Sequence, residues 1–88
     1  MSVATVDELE IEAVIVRFLR DNLALDVSDV AADSPLVTSG ILDSVGLVRL
    51  ATLLERRLGI RIPDRDLTLE HFDTIRRIRA YVTRQARG

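Results

Sequence analysis

The sequence predicts an all-α fold: a bundle of three main helices plus one short helix, with a long first loop. Three segments carry apolar residues at the spacing of one helix face. Between the first two segments, residues 23–43 combine turn formers with apolar residues that can pack on a core. After the second, Gly59 and Pro63 interrupt regular helix. The 88 residues are expected to form a single domain, residues 1–88, around one small core.

The first helix is predicted from about Thr5 or Asp7 to about Asn22. Acidic residues crowd its first turns, and Arg17 and Arg20 lie near its end, which matches the helix dipole. Its apolar face consists of Ile11, Val14, Ile15, Phe18 and Leu19.

The long loop that follows is predicted to be ordered, because a disordered linker would lack so many apolar residues. These residues are Leu25, Val27, Val30, Leu36, Val37, Ile41 and Leu42. A loop of this length in a small domain often has a functional reason or hides a short helical turn.

The second helix is predicted to begin at Asp43 or Ser44 and to end at Leu58, with Gly59 as a left-handed stop. Its core face consists of Leu47, Leu50, Ala51, Leu54 and Leu58. A second stripe on an adjacent face consists of Val45, Val48 and Thr52. The pattern alone supports two interpretations of this stripe equally: an exposed docking patch, or part of a wide core contact.

The C-terminal part begins with a connector, residues 59–67. Thr68 is predicted to cap one short turn that ends at Phe72, and Asp73 or Thr74 to cap the last helix, residues 74–86. The buried side of that helix is expected to consist of Ile75, Ile78, Tyr81 and Val82.

Composition excludes several function classes. Cysteine is absent, which excludes disulfides and thiolate metal sites, and no metal site is expected. No apolar run approaches the ~20 residues that span a membrane, and the acidic N-terminus lacks the layout of a secretion signal. We therefore expect a cytoplasmic, monomeric protein without a membrane partner.

The net charge of -2 conceals an asymmetry. Residues 1–48 hold nine acids against two arginines, whereas residues 49–88 hold ten arginines against five acids. We expect the two halves to attract each other, with partner recognition as a secondary use of the charge.

Ser44, at the predicted N-terminus of the second helix, admits three interpretations. It can be an ordinary first-turn residue beside the N-cap Asp43. It can be a nucleophile, but His71 is the one imidazole in the chain, and Leu42 stands where the G-x-S-x-G elbow requires glycine. It can also be a covalent attachment point, because a helix N-terminus offers free N–H groups and positive potential to a phosphodiester.

The chain resembles the acyl carrier proteins, a family that includes aminoacyl and peptidyl carriers, over most of its length. The stretches that carry the resemblance are "SPLVTSGILDS", "SVGLVRLATLLERRLG", "IRIPDRDL" and "FDTIRRIRAYV". The Asp43-Ser44-Val45 tripeptide is weak evidence alone but strong in this setting.

The resemblance implies that Ser44 carries a 4′-phosphopantetheine arm, which a phosphopantetheinyl transferase adds from coenzyme A. The arm's thiol would hold an acyl or aminoacyl group as a thioester, so the protein would be a carrier and not an enzyme. Asp43 would cap the helix and help the transferase engage the site. Partner enzymes, among them a loading ligase and a downstream synthase, transferase or tailoring enzyme, would contact Val45, Val48, Arg49, Thr52 and Ile62. Ile62, Leu69 and Phe72 would pack near the arm.

Two features depart from typical fatty-acid carriers. The motif here is G-I-L-D-S, one residue longer than G-x-D-S, and the second helix carries Arg49, Arg56 and Arg57 against Glu55 alone. The chain looks more like stand-alone carriers of amino acids, such as D-alanyl and prolyl carrier proteins, or of small units in secondary metabolism. It is therefore expected to serve a dedicated polyketide, nonribosomal peptide or other antibiotic pathway.

Two alternatives remain open. Arginines on the last helix, Arg76, Arg77, Arg79, Arg84 and Arg87, are compatible with a small helical nucleic-acid-binding domain, although a solvated outer face gives the same pattern. We expect no nucleic-acid partner. A plain protein-interaction bundle, without modification of Ser44, is the other alternative.

Overall fold

The fold is that of a computed structural model, which describes residues 8–23 and 30–87. Over these residues the chain forms four α-helices and no strand: α1 (Glu8–Leu23), α2 (Ser44–Leu58), α3 (Leu69–Phe72) and α4 (Ile75–Arg87). A single 3₁₀ turn, Asp64–Asp66, lies between α2 and α3. The predicted bundle of three main helices plus one short helix, with a long first loop, is confirmed. The predicted starts of α1 at Thr5 or Asp7 lie outside the described residues.

The core forms where α1 packs on α2 and α4, and where α4 packs on α3. Each main helix contributes the face that its apolar spacing predicts. Residues with no solvent exposure include Ile11, Ile15, Leu19, Leu50, Leu54, Ile78 and Val82. Tyr81 is also buried, and its hydroxyl donates a hydrogen bond to Asp66 Oδ2 (2.5 Å).

The described part of the first loop, residues 30–43, is ordered, as predicted. Leu36 and Leu42 are completely buried, and the N–H of Leu42 donates to the carbonyl of Leu36 (2.8 Å). Gly40 lets the chain turn between them with φ = 86°, which a residue with a side chain rarely adopts. The predicted core contacts of Leu25 and Val27 lie outside the described residues.

The caps of the last two helices differ in part from the prediction. Thr68 precedes α3, but its side chain makes no capping hydrogen bond; instead, its carbonyl accepts from the N–H of Phe72 (2.9 Å). Thr74 caps α4, since its hydroxyl accepts from the N–H of Arg77 (3.0 Å). Asp73, the other predicted cap, instead holds the first loop.

The acidic and basic halves pair directly, as their charges predict. On α4, Arg79 contacts Glu12 of α1 (2.9 Å) and Arg76 contacts Asp33 of the first loop (2.7 Å). Both pairs join residues more than forty positions apart in sequence, so they tie α4 to the N-terminal half. Among the helices described, none has the length and apolar character needed to cross a membrane.

Candidate functional site at the N-terminus of α2

The N-terminus of α2 is capped by Asp43. Asp43 has an extended backbone (φ −85°, ψ −179°), its carboxylate accepts from the N–H of Gly46 (2.7 Å), and its carbonyl accepts from the N–H of Leu47 (2.8 Å). The bond from Gly46 satisfies one of the four N–H groups that a helix leaves free at its start, and the bond from Leu47 is the first hydrogen bond of the helix itself. Ser44 is therefore not needed as a cap.

Ser44 is the first residue of α2 and is exposed. Its hydroxyl makes no hydrogen bond to any residue that the structure describes. The N–H groups of Ser44 and Val45 also find no acceptor within the described ranges. A helix N-terminus with free N–H groups favours a nearby anion, so the position suits a phosphodiester on the Ser44 oxygen.

Gly46 fits closely beneath this cap. A Cβ atom at position 46 would lie 3.0 Å from Cδ1 of Leu42 and 3.1 Å from Oδ1 of Asp43. Because Leu42 is completely buried, it has little room to withdraw. The absence of a side chain at Gly46 thus lets Leu42 fill the core while Asp43 reaches the helix amides.

Asp73, between α3 and α4, anchors the loop that leads to Ser44. Its Oδ1 accepts from the N–H groups of Val37 (2.9 Å) and Thr38 (3.0 Å), and its Oδ2 accepts from the Thr38 hydroxyl (3.0 Å). The Thr38 N–H holds the pKa of Asp73 below its usual value, with help from the Thr38 hydroxyl and the Val37 N–H, against the opposing effect of burial. The ionised carboxylate is thus the form that fixes the loop.

The predicted partner face is exposed in part. Val45 and Val48 are 58% and 52% exposed, and Arg49 and Thr52 are exposed as well. The interpretation of the second apolar stripe as a wide core contact is therefore wrong. The stripe forms an apolar surface that begins at the residue after Ser44.

Ile62 does not belong to that surface, which corrects the prediction. Only 6% of Ile62 is exposed, because it packs in the core, and its N–H donates to Oε2 of Glu55 (2.7 Å). Phe72 is completely buried beside Tyr81, with ring centroids 5.3 Å apart, so it offers no surface to an arm either. Leu69 is 46% exposed.

The catalytic interpretation of Ser44 gains no support from the geometry. His71 lies in α3, where its ring packs on Tyr81 (centroids 4.8 Å apart) and its Nδ1 lies 3.4 Å from Nη2 of Arg84. No hydrogen bond joins it to Ser44. Within the described ranges, no group of three or more His, Asp or Glu side chains could hold a metal ion.

Four arginines of α4 contact other groups of the protein. Arg76 and Arg79 pair with acids, Arg77 donates to the carbonyl of Leu69 (3.2 Å), and Arg84 lies against His71. This arrangement disfavours a nucleic-acid interface on α4, because such an interface needs arginines free to reach phosphates.

Sequence reasoning did not assign the roles that Gly46, Glu55 and Asp73 have in shaping the site. A glycine inside a predicted helix is unusual enough to signal a close approach. Neither the partner of Glu55 nor that of Asp73 has a local signal, because the first is seven and the second 35 residues away in sequence.

Comparisons with known proteins agree on one family. Residues 13–82 match the family model described as "Phosphopantetheine attachment site". The chain is 33% identical over 75 residues to the D-alanyl carrier protein of Streptococcus sanguinis, a match that covers 85% of this chain and 94% of that protein. It is 34% identical over 73 residues to D-alanyl carrier protein 2 of Lactiplantibacillus plantarum, covering 83% and 90%.

Proposed function

The chain belongs to the phosphopantetheine-attachment family, and from this premise we propose that Ser44 carries the 4′-phosphopantetheine arm. Members of the family hold this arm covalently and are carriers rather than enzymes. They work with a phosphopantetheinyl transferase and with loading and transferring enzymes. The chain's own contribution is to offer the attachment point and to present the cargo.

One observation carries the assignment of Ser44: its exposed, unbonded hydroxyl at the end of a helix that Asp43 already caps. The Ser44 oxygen can approach a phosphorus atom without breaking any contact to the described residues. The N–H groups of Ser44 and Val45, which find no acceptor among the described residues, would be available to the phosphodiester oxygens after the transfer. The residues present thus fit the group.

In the attachment reaction, the Ser44 oxygen bonds to the pantetheine-side phosphorus of coenzyme A and its proton passes to a base on the transferase. The pyrophosphate bond of coenzyme A breaks, and adenosine 3′,5′-bisphosphate leaves. The thiol at the end of the arm supplies the thioester chemistry that a cysteine-free chain lacks. A carrier primed from coenzyme A belongs in the cytoplasm, where we place the protein.

For the cargo we propose a small amino acid of the D-alanine class, loaded by a dedicated ligase. Two observations support it: the curated relatives are named D-alanyl carrier proteins, and the attachment motif reads G-I-L-D-S. The expected polyketide, nonribosomal peptide or antibiotic pathway gains no support from these relatives. We therefore assign the cargo class and leave the pathway unassigned.

Intact mass spectrometry tests the attachment. The protein is incubated with coenzyme A, Mg²⁺ and a broad-range phosphopantetheinyl transferase. We expect the mass to rise by one phosphopantetheinyl group in the wild type and in Ser39→Ala, a matched loop control, but not in Ser44→Ala. No adduct, or an adduct that persists in Ser44→Ala, would contradict the assignment.

The cargo is tested on protein purified from its native cells. We expect a hydroxylamine-labile mass increase equal to one small aminoacyl group. A fatty-acyl or polyketide mass on the same thiol would overturn the cargo proposal while leaving the assignment of Ser44 intact.

A further inference from the structure

A groove runs between α1 and α2, starting one helical turn after Ser44. We call it the α1–α2 groove. Its near compartment, about 330 Å³, lies between Phe18 of α1 and Val48, Arg49, Thr52, Leu53 and Arg56 of α2. Its far compartment, about 460 Å³, lies between Ala13, Val14, Arg17 and Arg20 of α1 and Leu53 and Arg57 of α2. Leu53 lines both compartments, so they adjoin.

The rim of the groove is positively charged. Arg17, Arg49, Arg56 and Arg57 are exposed, and none makes an ion pair with any described residue. Among the described residues, Arg20 pairs only with the adjacent Asp21 (3.6 Å), and both side chains are more than half exposed. Exposed pairs of this kind contribute about 0–1 kcal/mol and rearrange easily. Of the lining residues in the described part of the chain, Glu10 alone is acidic.

The acid on α2 that could neutralise this rim is used elsewhere. Glu55 binds the N–H of Ile62 (2.7 Å) in the connector, and no ion pair joins it to a described arginine. On α4, in contrast, Arg79 pairs with Glu12, Arg76 pairs with Asp33, Arg77 donates to the carbonyl of Leu69, and Arg84 lies against His71. Arg17, Arg49, Arg56 and Arg57 thus bring four exposed arginines without an ion pair to a described residue to the α1–α2 groove, whereas Arg61 and Arg65, also exposed and without such a pair, lie in the connector outside it.

We infer that the α1–α2 groove is a docking site for an acidic amphipathic helix of a partner protein. From Val48 to Arg57 the groove follows about 14 Å of α2, the length of two to three turns of a helix. Val48, half exposed, and Leu53, partly buried, provide an apolar floor, and arginines stand on both sides. A helix with apolar residues at i, i+3, i+4 and i+7, flanked by Asp or Glu, matches this surface.

The apolar floor favours a protein over a nucleic acid. Nucleic-acid surfaces combine arginines with exposed aromatic rings on which bases stack. The one aromatic lining residue here, Phe18, is only 5% exposed.

This inference deepens the proposed function, since it gives the chemistry of the partner that would reach the arm on Ser44. Its test needs neither the arm nor the transferase. A failure of the Ser44 modification and a failure of the docking site are therefore separate results.

The test uses two stapled helical peptides of about 14 residues with identical apolar faces, one flanked by Glu and the other by Lys. Each is titrated into the isotope-labelled unmodified protein, and amide shifts are followed by NMR. We expect the Glu peptide to shift the amide resonances of Val48, Thr52 and Leu53. We also expect it to bind with an affinity at least about tenfold higher than that of the Lys peptide. The binding should weaken as salt rises, because exposed charges are screened.

Two charge-reversal variants with the same net charge sharpen the test. Arg49→Glu/Arg56→Glu should no longer bind the Glu peptide and should instead bind the Lys peptide. Arg61→Glu/Arg65→Glu, on exposed connector residues outside the groove, should behave like the wild type. Equal binding of the two peptides, shifts confined to other helices, or loss of binding in both variants would each overturn the inference. So would a single-stranded oligonucleotide that shifts the groove amides more strongly than the Glu peptide.

Discussion

Asp73 binds Thr38 twice: its Oδ1 accepts the Thr38 N–H and its Oδ2 accepts the Thr38 hydroxyl, each over 3.0 Å. The two residues stand 35 positions apart in sequence. Asp73 lies at the junction of α3 and α4, and Thr38 lies six residues before Ser44. The C-terminal part of the bundle thereby fixes the loop that ends at the proposed attachment site.

We predict that Asp73→Asn destabilises the protein by about 1–3 kcal/mol, because an amide cannot accept the three hydrogen bonds as strongly as a carboxylate. Urea unfolding measures the change. Asp64→Asn, which removes an exposed carboxylate, is the matched control and should leave the midpoint nearly unchanged.

Because of the same carboxylate, we predict that the stability of the fold depends on pH. The pKa of Asp73 is lowered in the folded state, so the unfolded chain binds its proton first as the pH falls. The stabilisation is present above about pH 4 and is lost as the pH falls through the folded pKa. As the pH is lowered through this range, the urea midpoint of unfolding should fall more steeply for the wild type than for Asp73→Asn. Parallel curves would show that Asp73 is not responsible.

Gly46→Ala is predicted to destabilise the protein, although alanine is the better helix former by about 1 kcal/mol. The new Cβ would press on Leu42 and Asp43 and weaken the cap of α2. Asp43→Ala, which removes the cap, should cost about 1 kcal/mol. If Gly46→Ala acts through the cap, the double variant will be less destabilised than the sum of the single variants. Additive free energies of unfolding would contradict this explanation.

Glu12→Gln tests the contact between α1 and α4. Glu12 and Arg79 are 41% and 27% exposed at their side chains, so the pair should contribute at most about 1 kcal/mol and less at high salt. Asp33→Asn breaks the more exposed pair with Arg76 and should change the free energy of unfolding less. A larger effect of Asp33→Asn would reverse the predicted ranking.

Tyr81→Phe should destabilise the protein by about 1–2 kcal/mol, since Asp66 loses the hydrogen bond from the buried phenol. Burial, followed by the hydrogen bond and the charge of Asp66, raises the pKa of Tyr81. The stabilisation that neutral Tyr81 gives the folded state is therefore fully present below about pH 10. It is lost as the pH rises further, because the tyrosine ionises first in the unfolded chain.

As Tyr81 is the only tyrosine, phenolate absorbance should rise together with unfolding and not before it. Tyr81→Phe should lack this alkaline loss of stability, which circular dichroism measures. Ionisation of the folded protein near the ordinary pKa of tyrosine would contradict the prediction.

The sequence by itself determined the elements whose causes are local. Asp43 caps α2, Gly59 ends it with φ = 66°, and the period of apolar residues identifies the buried face of each main helix. These features depend on interactions within one turn or on the spacing along one helix, and both can be read from adjacent residues. The position of Ser44 at a capped helix start follows from the same local chemistry.

Only the tertiary structure decided which side chains interact with distant parts of the chain rather than with neighbouring residues. Asp73, a good local cap, binds the first loop instead; Glu55 turns to the connector; and Ile62, expected on the partner face, packs in the core. Val45 and Val48 remain exposed because the core is filled by the neighbouring face of α2. Each outcome depends on which distant backbone groups the folded bundle brings within hydrogen-bond or packing distance. Such distances are set by the packing of α1, α2 and α4 together, and no single segment encodes them.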